Sequence, residues 1–372
     1  MVKLLLGAIA TLFVFVSACG VSEQASQESL SSETTSAEVE EATPTTLPGD
    51  GEPDDGTLPQ QPGLESEVLP ELAMCPEDDI SENLIALVGF EELQRNTQVL
   101  SAFAGVVLVG PVEADAGDNL RVALESIRAR NGSTKLFVDE EGGAVQRLSN
   151  ILGPIPSAAG QAQLSDEELA FRWQVHNQSL LDLGFNGNFG PVVDVGTSSG
   201  IDSRSFSDDP AEVIRAASTF IAQAEAAGIE SVIKHFPGHG VVDIDTHLTN
   251  AVTPTLEELE EVHIRPFAEI VADRPTQPIM ISHLIVGDDA EEETLASISP
   301  TVYEYLEENF PEAPLYTDAF NMDAAVNTGA TEMGLAGRAV ELGADFAIVS
   351  LAGIQECAQA GGGSLPVSFV ND

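Results

Sequence analysis

Short apolar runs alternate with longer amphipathic stretches along the chain from about residue 76 onward. Each run is almost continuously hydrophobic, which is typical of strands that are buried on both faces of a parallel sheet. The runs occupy residues 84–90, 104–110, 135–142, 185–195, 230–238, 278–286, 314–320 and 345–351. Strands in this number, separated by amphipathic helices, predict an α/β fold: a (β/α)8 barrel of the TIM type that forms a single domain.

The amphipathic stretches carry signals for where helices begin and end. Residues 165–184 open on Ser165 and close on Gly184, and residues 209–228 open on Asp209 and close on Gly228. Ser and Asp cap helix N-termini, and Gly ends helices because it readily adopts left-handed backbone angles. The last stretch, 352–372, is rich in glycine, so we expect a shortened final helix. The main alternative, a doubly wound open sheet, predicts a GxGxxG motif after the first strand, and that position has none.

The first 19 residues are predicted to be a secretory signal peptide. Lys3 is followed by an apolar core at residues 4–16, which is short for a membrane span of about 20 residues. The peptide ends in the sequence VSAC, whose last residue is Cys19, and this resembles the lipobox of bacterial lipoproteins. The resemblance implies that Cys19 is lipidated and anchors the protein to the outer face of the cell membrane. An ordinary signal peptide with a chance cysteine is the alternative.

Residues 20–75 have the composition of a disordered acidic linker. Residues 20–71 contain no Lys, Arg or aromatic residue, and Ser, Thr, Glu, Gly and Pro dominate. Such a segment cannot bury enough apolar surface to offset the entropy that ordering costs. The predicted organisation is therefore a signal peptide at 1–19, a linker at 20–75 and the barrel domain at 76–372.

The charge of the chain restricts its partners. It has 14 Lys and Arg against 61 Asp and Glu, which gives a formal net charge of −47. A nucleic acid partner is excluded, because neutralising phosphates requires clustered Lys and Arg. Electrostatic attachment to anionic lipid is excluded for the same reason.

Two cysteines, Cys75 and Cys357, remain besides Cys19. An even remainder in an exported protein predicts a disulfide. This bridge would close a loop of almost the whole domain and stabilise it by roughly 4 to 5 kcal/mol in the chain-entropy model. Two buried free thiols are the alternative.

Polar residues cluster where the predicted strands end. In a (β/α)8 barrel the functional groups lie at the C-terminal ends of the strands and in the loops that follow. The residues in such places are Asp139, Arg147, Asp194, Arg204, Lys234, His235, Ser282, His283 and Asp318. An Asp after a strand is often just a helix cap, but the shared placement of so many polar groups favours a functional site.

The stretch KHFPGHGVVDIDTHL, residues 234–248, holds three of the six histidines of the chain. Pro237 and two glycines exclude the helix that would put both imidazoles of HFPGH on one face to bind a metal. Asp245 and His247, two residues apart, face the same way in an extended loop, so the carboxylate can orient the ring and raise its basicity. Proton transfer is therefore the favoured interpretation. The alternatives are a purely structural role and metal binding, for which the nitrogen and oxygen ligands on offer are His235, His239, Asp243, Asp245 and His247.

Six stretches together resemble the N-terminal barrel of glycoside hydrolase family 3. They are VDEEGGAVQRL (138–148), NFGPVVDV (188–195), RSFSDDP (204–210), KHFPGHG (234–240), DTH (245–247) and YTDAFNM (316–322). KHFPGHG followed by DTH is the most specific signal, and it resembles the bacterial β-N-acetylglucosaminidase branch. The resemblance implies a TIM barrel as a single catalytic domain that cleaves β-linked GlcNAc from peptidoglycan fragments.

The resemblance also implies a role for individual residues. Asp318 would be the nucleophile that forms a covalent glycosyl-enzyme, and His247 would be the general acid and base, with Asp245 as its dyad partner. Asp139, Arg147, Arg204, Lys234 and His235 would bind sugar hydroxyls, and Asp194 would support the site from beneath. No metal or organic cofactor is implied, and a monomer is expected.

Three other functions stay open. Relatives that transfer the sugar to phosphate look alike, so phosphorolysis is one alternative. A surface glycan-binding lipoprotein that has lost catalysis is another, because Ala319 stands where the family has an acidic residue. The third alternative is a metal-dependent hydrolase that uses the histidine cluster.

Overall fold

The eight apolar runs contain the strands of a parallel sheet, as the sequence predicts. The computed structural model describes residues 70–196, 198, 201–242 and 251–361. In these residues the strands are β1 Leu84–Val88, β2 Gly105–Leu108, β3 Lys135–Val138, β4 Glu140–Gly142, β5 Val145–Gln146, β6 Gly187–Asn188, β7 Glu230–Ser231, β8 Ile233–Phe236, β9 Ile279–Ile281, β10 Leu315–Ala319 and β11 Phe346–Ser350. β4 and β5 form an antiparallel hairpin, and the other strands form one parallel sheet.

The parallel sheet curls into a nearly closed ring. Its order is β7-β6-β3-β2-β1-β11-β10-β9-β8, so its edge strands are β7 and β8. These two are consecutive in the chain, and Val232 alone separates them. β7 pairs with β6 and β8 pairs with β9, so residues 230–236 connect both edges. The predicted barrel is therefore confirmed, with its fifth strand divided between two neighbours.

Helices pack against the outside of the ring. The α-helices of the described residues are α1 Phe90–Arg95, α2 Thr97–Leu100, α3 Gly117–Arg130, α4 Ser149–Leu152, α5 Ala158–Gln161, α6 Asp166–Leu183, α7 Pro210–Ala227, α8 Leu256–Leu259, α9 Arg265–Asp273, α10 Pro300–Asn309, α11 Asp323–Val326, α12 Glu332–Leu342 and α13 Leu351–Gln359. A π-helical turn, Glu260–Ile264, joins α8 to α9. Short 3₁₀ turns lie at Pro70–Ala73, Ser81–Asn83, Asp202–Arg204, His239–Val241, Gly287–Asp289 and Ala296–Ile298. Within this part of the chain, no helix has the length and apolar character that crossing a bilayer requires.

The predicted helix caps are confirmed. The Ser165 side chain accepts a hydrogen bond from the backbone of α6, and Gly184 ends this helix with a φ of 113°. Asp209 caps α7 in the same way, and Gly228 ends it with a φ of 78°. The final helix, α13, has 9 residues against 18 in α6, in agreement with the predicted shortening.

The strands are buried on both faces because an inner and an outer apolar layer cover them. Alternate residues of one strand contribute to the two layers: Ile85 points into the ring, whereas Leu84 and Ala86 pack against the helices. The inner layer is formed by Ile85, Val107, Phe137, Phe189, Val232, Met280, Tyr316, Ala319 and Ile348. Phe137 and Phe189 stack at 4.3 Å, and Gly187 makes room for them, since a Cβ there would lie 2.2 Å from the Phe137 ring. The ring is thus a packed core rather than a pore.

The described chain begins in a segment that is fastened to α12 and α13. The backbone N–H of Thr331 donates to the carbonyl of Leu72 at 2.9 Å. A Cβ on Gly334 would lie 2.2 Å from that carbonyl, so α12 needs glycine where the segment crosses it. The sulfur atoms of Cys75 and Cys357 lie within bonding distance, and their Cα atoms are 5.6 Å apart, a separation that a disulfide spans.

Candidate active site

A cavity of about 140 Å³ opens at the C-terminal ends of the strands. Its wall brings together six residues that the sequence singles out: Asp139, Arg147, Arg204, Lys234, His235 and Asp318. Glu141 and His239 add further polar groups, and the inner layer of the barrel forms its apolar floor. Polar side chains from separate strands thus meet in one place, because parallel strands end on the same side of the ring.

Asp318 lies near the end of β10, at a bulge in the pairing with β11. Tyr316 pairs with Phe346 and Ala319 pairs with Ile348, so three steps along β10 match two along β11. An extra residue in a strand redirects the side chains that follow it. Here the side chains of Asp318 and Ala319 both face the cavity.

The surroundings of Asp318 favour its ionised form. Burial raises the pKa of its carboxyl, but His235, His283, the Ala319 N–H and Lys234 outweigh burial and hold this pKa below its ordinary value. The Ala319 N–H donates to Asp318 Oδ1 at 2.8 Å. An ionised carboxylate that faces a cavity is what a carboxylate nucleophile requires.

Asp139 holds two cations at the wall of the cavity. Its Oδ1 accepts from Lys234 Nζ at 2.9 Å, and its Oδ2 accepts from Arg147 Nη2 at 3.3 Å. The Nε of Arg147 is buried and has no hydrogen-bond partner among the described residues. Because buried donors are costly when unpaired, a bound molecule with a hydroxyl or carbonyl oxygen would satisfy this group.

Glu141 was not predicted as a site residue, yet it contacts two cations of the cavity wall, Arg204 and Lys234. It accepts from Arg204 Nε and Nη2, both at 2.9 Å, and Lys234 Nζ lies 2.7 Å from its Oε1. Burial raises the pKa of Glu141, but Arg204 and Lys234 outweigh it and lower this pKa far below the ordinary value. Its position could have been found from the sequence, since residues two apart in an extended segment point to the same side, and Asp139 was already a candidate.

His235 is oriented from beneath by Asp194. The ring Nδ1 lies 2.7 Å from Asp194 Oδ2, and the ring Nε2 lies 3.3 Å from Arg204 Nη2. Asp194 is fully buried and also accepts from the backbone N–H of His239 at 2.6 Å. One carboxylate therefore contacts both the end of β8 and the start of the following loop.

His239 is a second imidazole of the cavity, and the sequence offered it only as a ligand in the metal alternative. Burial and the neighbouring His235 lower the pKa of His239 to about 4, so it is neutral near pH 7. It lies 5.3 Å from the His235 ring in an edge-on arrangement. Gly238 precedes it with a φ of 132°, and a Cβ there would lie 2.8 Å from the Cβ of His263 in the π-helical turn. The loop therefore packs directly on that turn.

Three predicted residues, Cys19, Asp245 and His247, lie outside the described residues, so their roles stay predictions. Among the described residues, no group of three His, Cys, Asp or Glu side chains could hold a metal ion. The metal alternative also involves Asp243, Asp245 and His247, which the structure does not describe.

The Glu141→Gln variant is expected to lose about 3 kcal/mol of unfolding free energy, because it leaves Lys234 and Arg204 short of a buried counter-charge. Urea unfolding followed by circular dichroism measures this loss. The matched control is Glu125→Gln, which breaks an exposed pair with Arg121 and should cost less than about 1 kcal/mol. Equal losses in the two variants would contradict the importance of the buried network.

The comparison with known families decides the assignment. Residues 102–361, well over half of the chain, match the glycosyl hydrolase family 3 N terminal domain. The chain belongs to this family. Glycosyl hydrolase family 3 thus accounts for the described barrel and for the six sequence stretches that resembled it.

Curated relatives of this family 3 chain include several proteins named beta-hexosaminidase. The one from Shewanella frigidimarina is 34% identical over 174 residues, 44% of this chain and 51% of that protein. The one from Tolumonas auensis is 36% identical over 188 residues, 49% of this chain and 56% of that protein. The chain therefore spans about half the length of these relatives. Beta-hexosaminidase LpqI of Mycobacterium tuberculosis is 30% identical over 292 residues, which cover 74% of this chain and 73% of LpqI.

Solved structures of family 3 proteins have the same fold. A glycosyl hydrolase of the GH3 family from Mycobacterium smegmatis superimposes with a TM-score of 0.66 at 27% identity, over 80% of this chain and 96% of its own. A family 3 β-N-acetylglucosaminidase from Paenibacillus sp. also gives 0.66, at 26% identity, over 75% of this chain and 56% of its own. These likenesses show that the chain has the barrel fold of the family.

Proposed function

We propose that the protein is a retaining β-N-acetylglucosaminidase that hydrolyses terminal β-linked GlcNAc. The observation that carries the proposal is Asp318, a half-buried carboxylate at the end of β10 that faces a cavity ringed by charged groups. A sugar offers many hydroxyls and little apolar area, so charged donors and acceptors such as Asp139, Lys234 and Arg147 suit it. The names of the beta-hexosaminidase relatives support the choice of GlcNAc.

The proposed reaction has two steps. In the first, an Asp318 oxygen attacks the anomeric carbon while His247 protonates the departing glycosidic oxygen, so the C1–O bond breaks and a glycosyl ester forms. In the second, water attacks the same carbon and gives its proton to His247, which releases Asp318 and retains the configuration. A histidine can serve in both steps because its ordinary pKa lies near 6.5.

The flanks of residues 243–250 support the place of His247 in this scheme. Val242, before the segment, and Ala251, after it, are both buried against Leu284. The N–H of Ile285 also donates to the Ala251 carbonyl at 2.9 Å. The described residues on either side of the segment with Asp245 and His247 therefore both lie beside the end of β9, the strand whose Met280 lines the cavity.

The natural substrate follows from the predicted location. A lipid on Cys19 and a linker at 20–75 would place the barrel outside the cytoplasm, where peptidoglycan is the GlcNAc-containing polymer. We propose that the enzyme acts there on peptidoglycan fragments. Metabolic labelling with a clickable fatty acid, compared between the wild type and Cys19→Ser, tests the anchor independently of the activity.

The function is tested with an aryl β-GlcNAc substrate beside the matching aryl β-glucoside. Hydrolysis of the first substrate, with the β-anomer of GlcNAc as the initial product in proton NMR, is the expected result. The His247→Ala variant should lose about 10²- to 10⁴-fold in rate on a poor leaving group and less on a nitrophenyl one, because the latter needs little protonation. Preference for the glucoside, or the α-anomer as first product, would overturn the proposal. Release of GlcNAc 1-phosphate in phosphate buffer would identify phosphorolysis.

A further inference from the structure

His283 is a buried imidazole that the proposed reaction does not use. It follows β9 by two residues and is 1% exposed. Its Nε2 lies 3.0 Å from the carbonyl oxygen of Ala319, the residue next to Asp318. Because a carbonyl can only accept, this Nε2 carries a proton and donates to it.

The ring of His283 is held in place on its other sides. Its Nδ1 lies 2.8 Å from the hydroxyl of Ser297, in the 3₁₀ turn Ala296–Ile298. The aromatic ring of Phe320 stacks on the imidazole, with centroids 5.1 Å apart. An imidazole fixed in this way is a rigid donor to the Ala319 carbonyl.

Thr317 holds the strand on the other side of Asp318. At the bulge the backbone N–H of Ile348 donates to the Thr317 hydroxyl at 3.2 Å. Regular pairing resumes immediately after the bulge, where the Phe320 N–H donates to the Ile348 carbonyl at 3.0 Å. A bulge leaves a backbone group of one strand without its partner on the other strand. Here the Ile348 N–H is that group, and the Thr317 hydroxyl oxygen accepts its hydrogen bond.

We infer that His283 and Thr317 are positioning residues that hold the Asp318 carboxylate in place by fixing the backbone on either side of it. The link to the carboxylate runs through the backbone of one residue, because Asp318 Oδ1 accepts from the N–H of Ala319 and His283 binds the carbonyl of the same residue. Displacing a reacting group by about 1 Å can cost 10²-fold in rate. The inference rests on the proposed role of Asp318 as the nucleophile.

Two replacements of His283 separate the effect of its hydrogen bond from the effect of its volume. The His283→Leu variant keeps much of the volume but removes the donor, and we expect kcat to fall by about 10- to 100-fold with little change in KM. The His283→Gln variant can place an amide N–H near the position of Nε2, so it should recover most of the lost kcat. Equal kcat in both variants, low or unchanged, would overturn the inference for His283.

Matched variants test the rest of the arrangement. The Thr317→Val variant removes the hydroxyl at constant shape and should lower kcat, whereas Thr317→Ser should retain it. The Ser297→Ala variant is milder than any change of His283 and should lower kcat by a smaller factor. Leu306→Ala on α10 is the stability control: it removes a buried side chain outside the cavity and should destabilise the fold without lowering kcat.

Crystal structures of the two His283 variants distinguish this inference from the proposed function. The Asp318 carboxylate should leave its contact with the Ala319 N–H in His283→Leu and keep it in His283→Gln. If the carboxylate keeps its place in His283→Leu, the inference is wrong whatever the activity is. If it moves as expected while the wild type leaves aryl β-GlcNAc intact, the positioning holds and the proposed function fails.

Discussion

The Asp318→Asn variant is expected to hydrolyse aryl β-GlcNAc at least about 10⁴-fold more slowly than the wild type, through kcat. The amide has almost the shape of the carboxylate but is a very poor nucleophile, so the covalent intermediate cannot form. The cavity wall stays intact, so binding should change little. Stopped assays over several hours measure the residual rate of the variant. With a slow fluorinated substrate, mass spectrometry should detect the glycosyl-enzyme in the wild type and not in Asp318→Asn.

The matched control is Asp323→Asn, an exposed carboxylate at the start of α11, five residues further along the chain. It should keep the wild-type rate. An Asp318→Gly variant with added azide gives a positive test, since a small anion can occupy the vacated space and attack the same carbon. The product should be the α-glycosyl azide, because a single displacement inverts the configuration. Retention of more than about a tenth of the wild-type kcat by Asp318→Asn would rule out this residue as the nucleophile.

Loss of the bond between Cys75 and Cys357 is expected to lower the unfolding free energy by about 4 to 5 kcal/mol. The two residues are 282 positions apart, so the bond restricts almost the whole unfolded domain. It also fastens the segment around Leu72 to α13, which carries Cys357, whereas the Thr331 N–H and Gly334 meet that segment at the start of α12. Urea unfolding of Cys75→Ser, with and without a reducing agent, measures the loss.

A double-mutant cycle is the control for this prediction. Cys75→Ser, Cys357→Ser and the double variant remove the same bond, so all three should have nearly the same unfolding midpoint. The wild type in reducing agent should fall to that midpoint. A different result would show two separate thiols in the core. In that case the reducing agent would leave the wild-type midpoint unchanged, and the loss in the double variant would equal the sum of the losses in the two single variants.

The sequence by itself determined the elements of the barrel and much of the composition of the site. The apolar runs predict strands because a strand covered on both faces must be apolar throughout. Ser165 and Gly184 mark the ends of α6 because capping is a local property of the backbone. Asp139, Lys234 and Asp318 were recognised because strand ends of a parallel barrel share one rim, so the fold class alone brings these residues together.

Tertiary structure decided what depends on contacts between distant residues. The split of the fifth strand at Val232 depends on pairing with β6 and β9, whose registers local sequence does not specify. The contact of Glu141 with Arg204 joins residues 63 positions apart, and that of His283 with Ala319 joins residues 36 positions apart. Such contacts follow from the closure of the ring, because closure brings together residues that are far apart in the sequence. Local sequence determines which groups a strand end carries, and packing determines which of them touch.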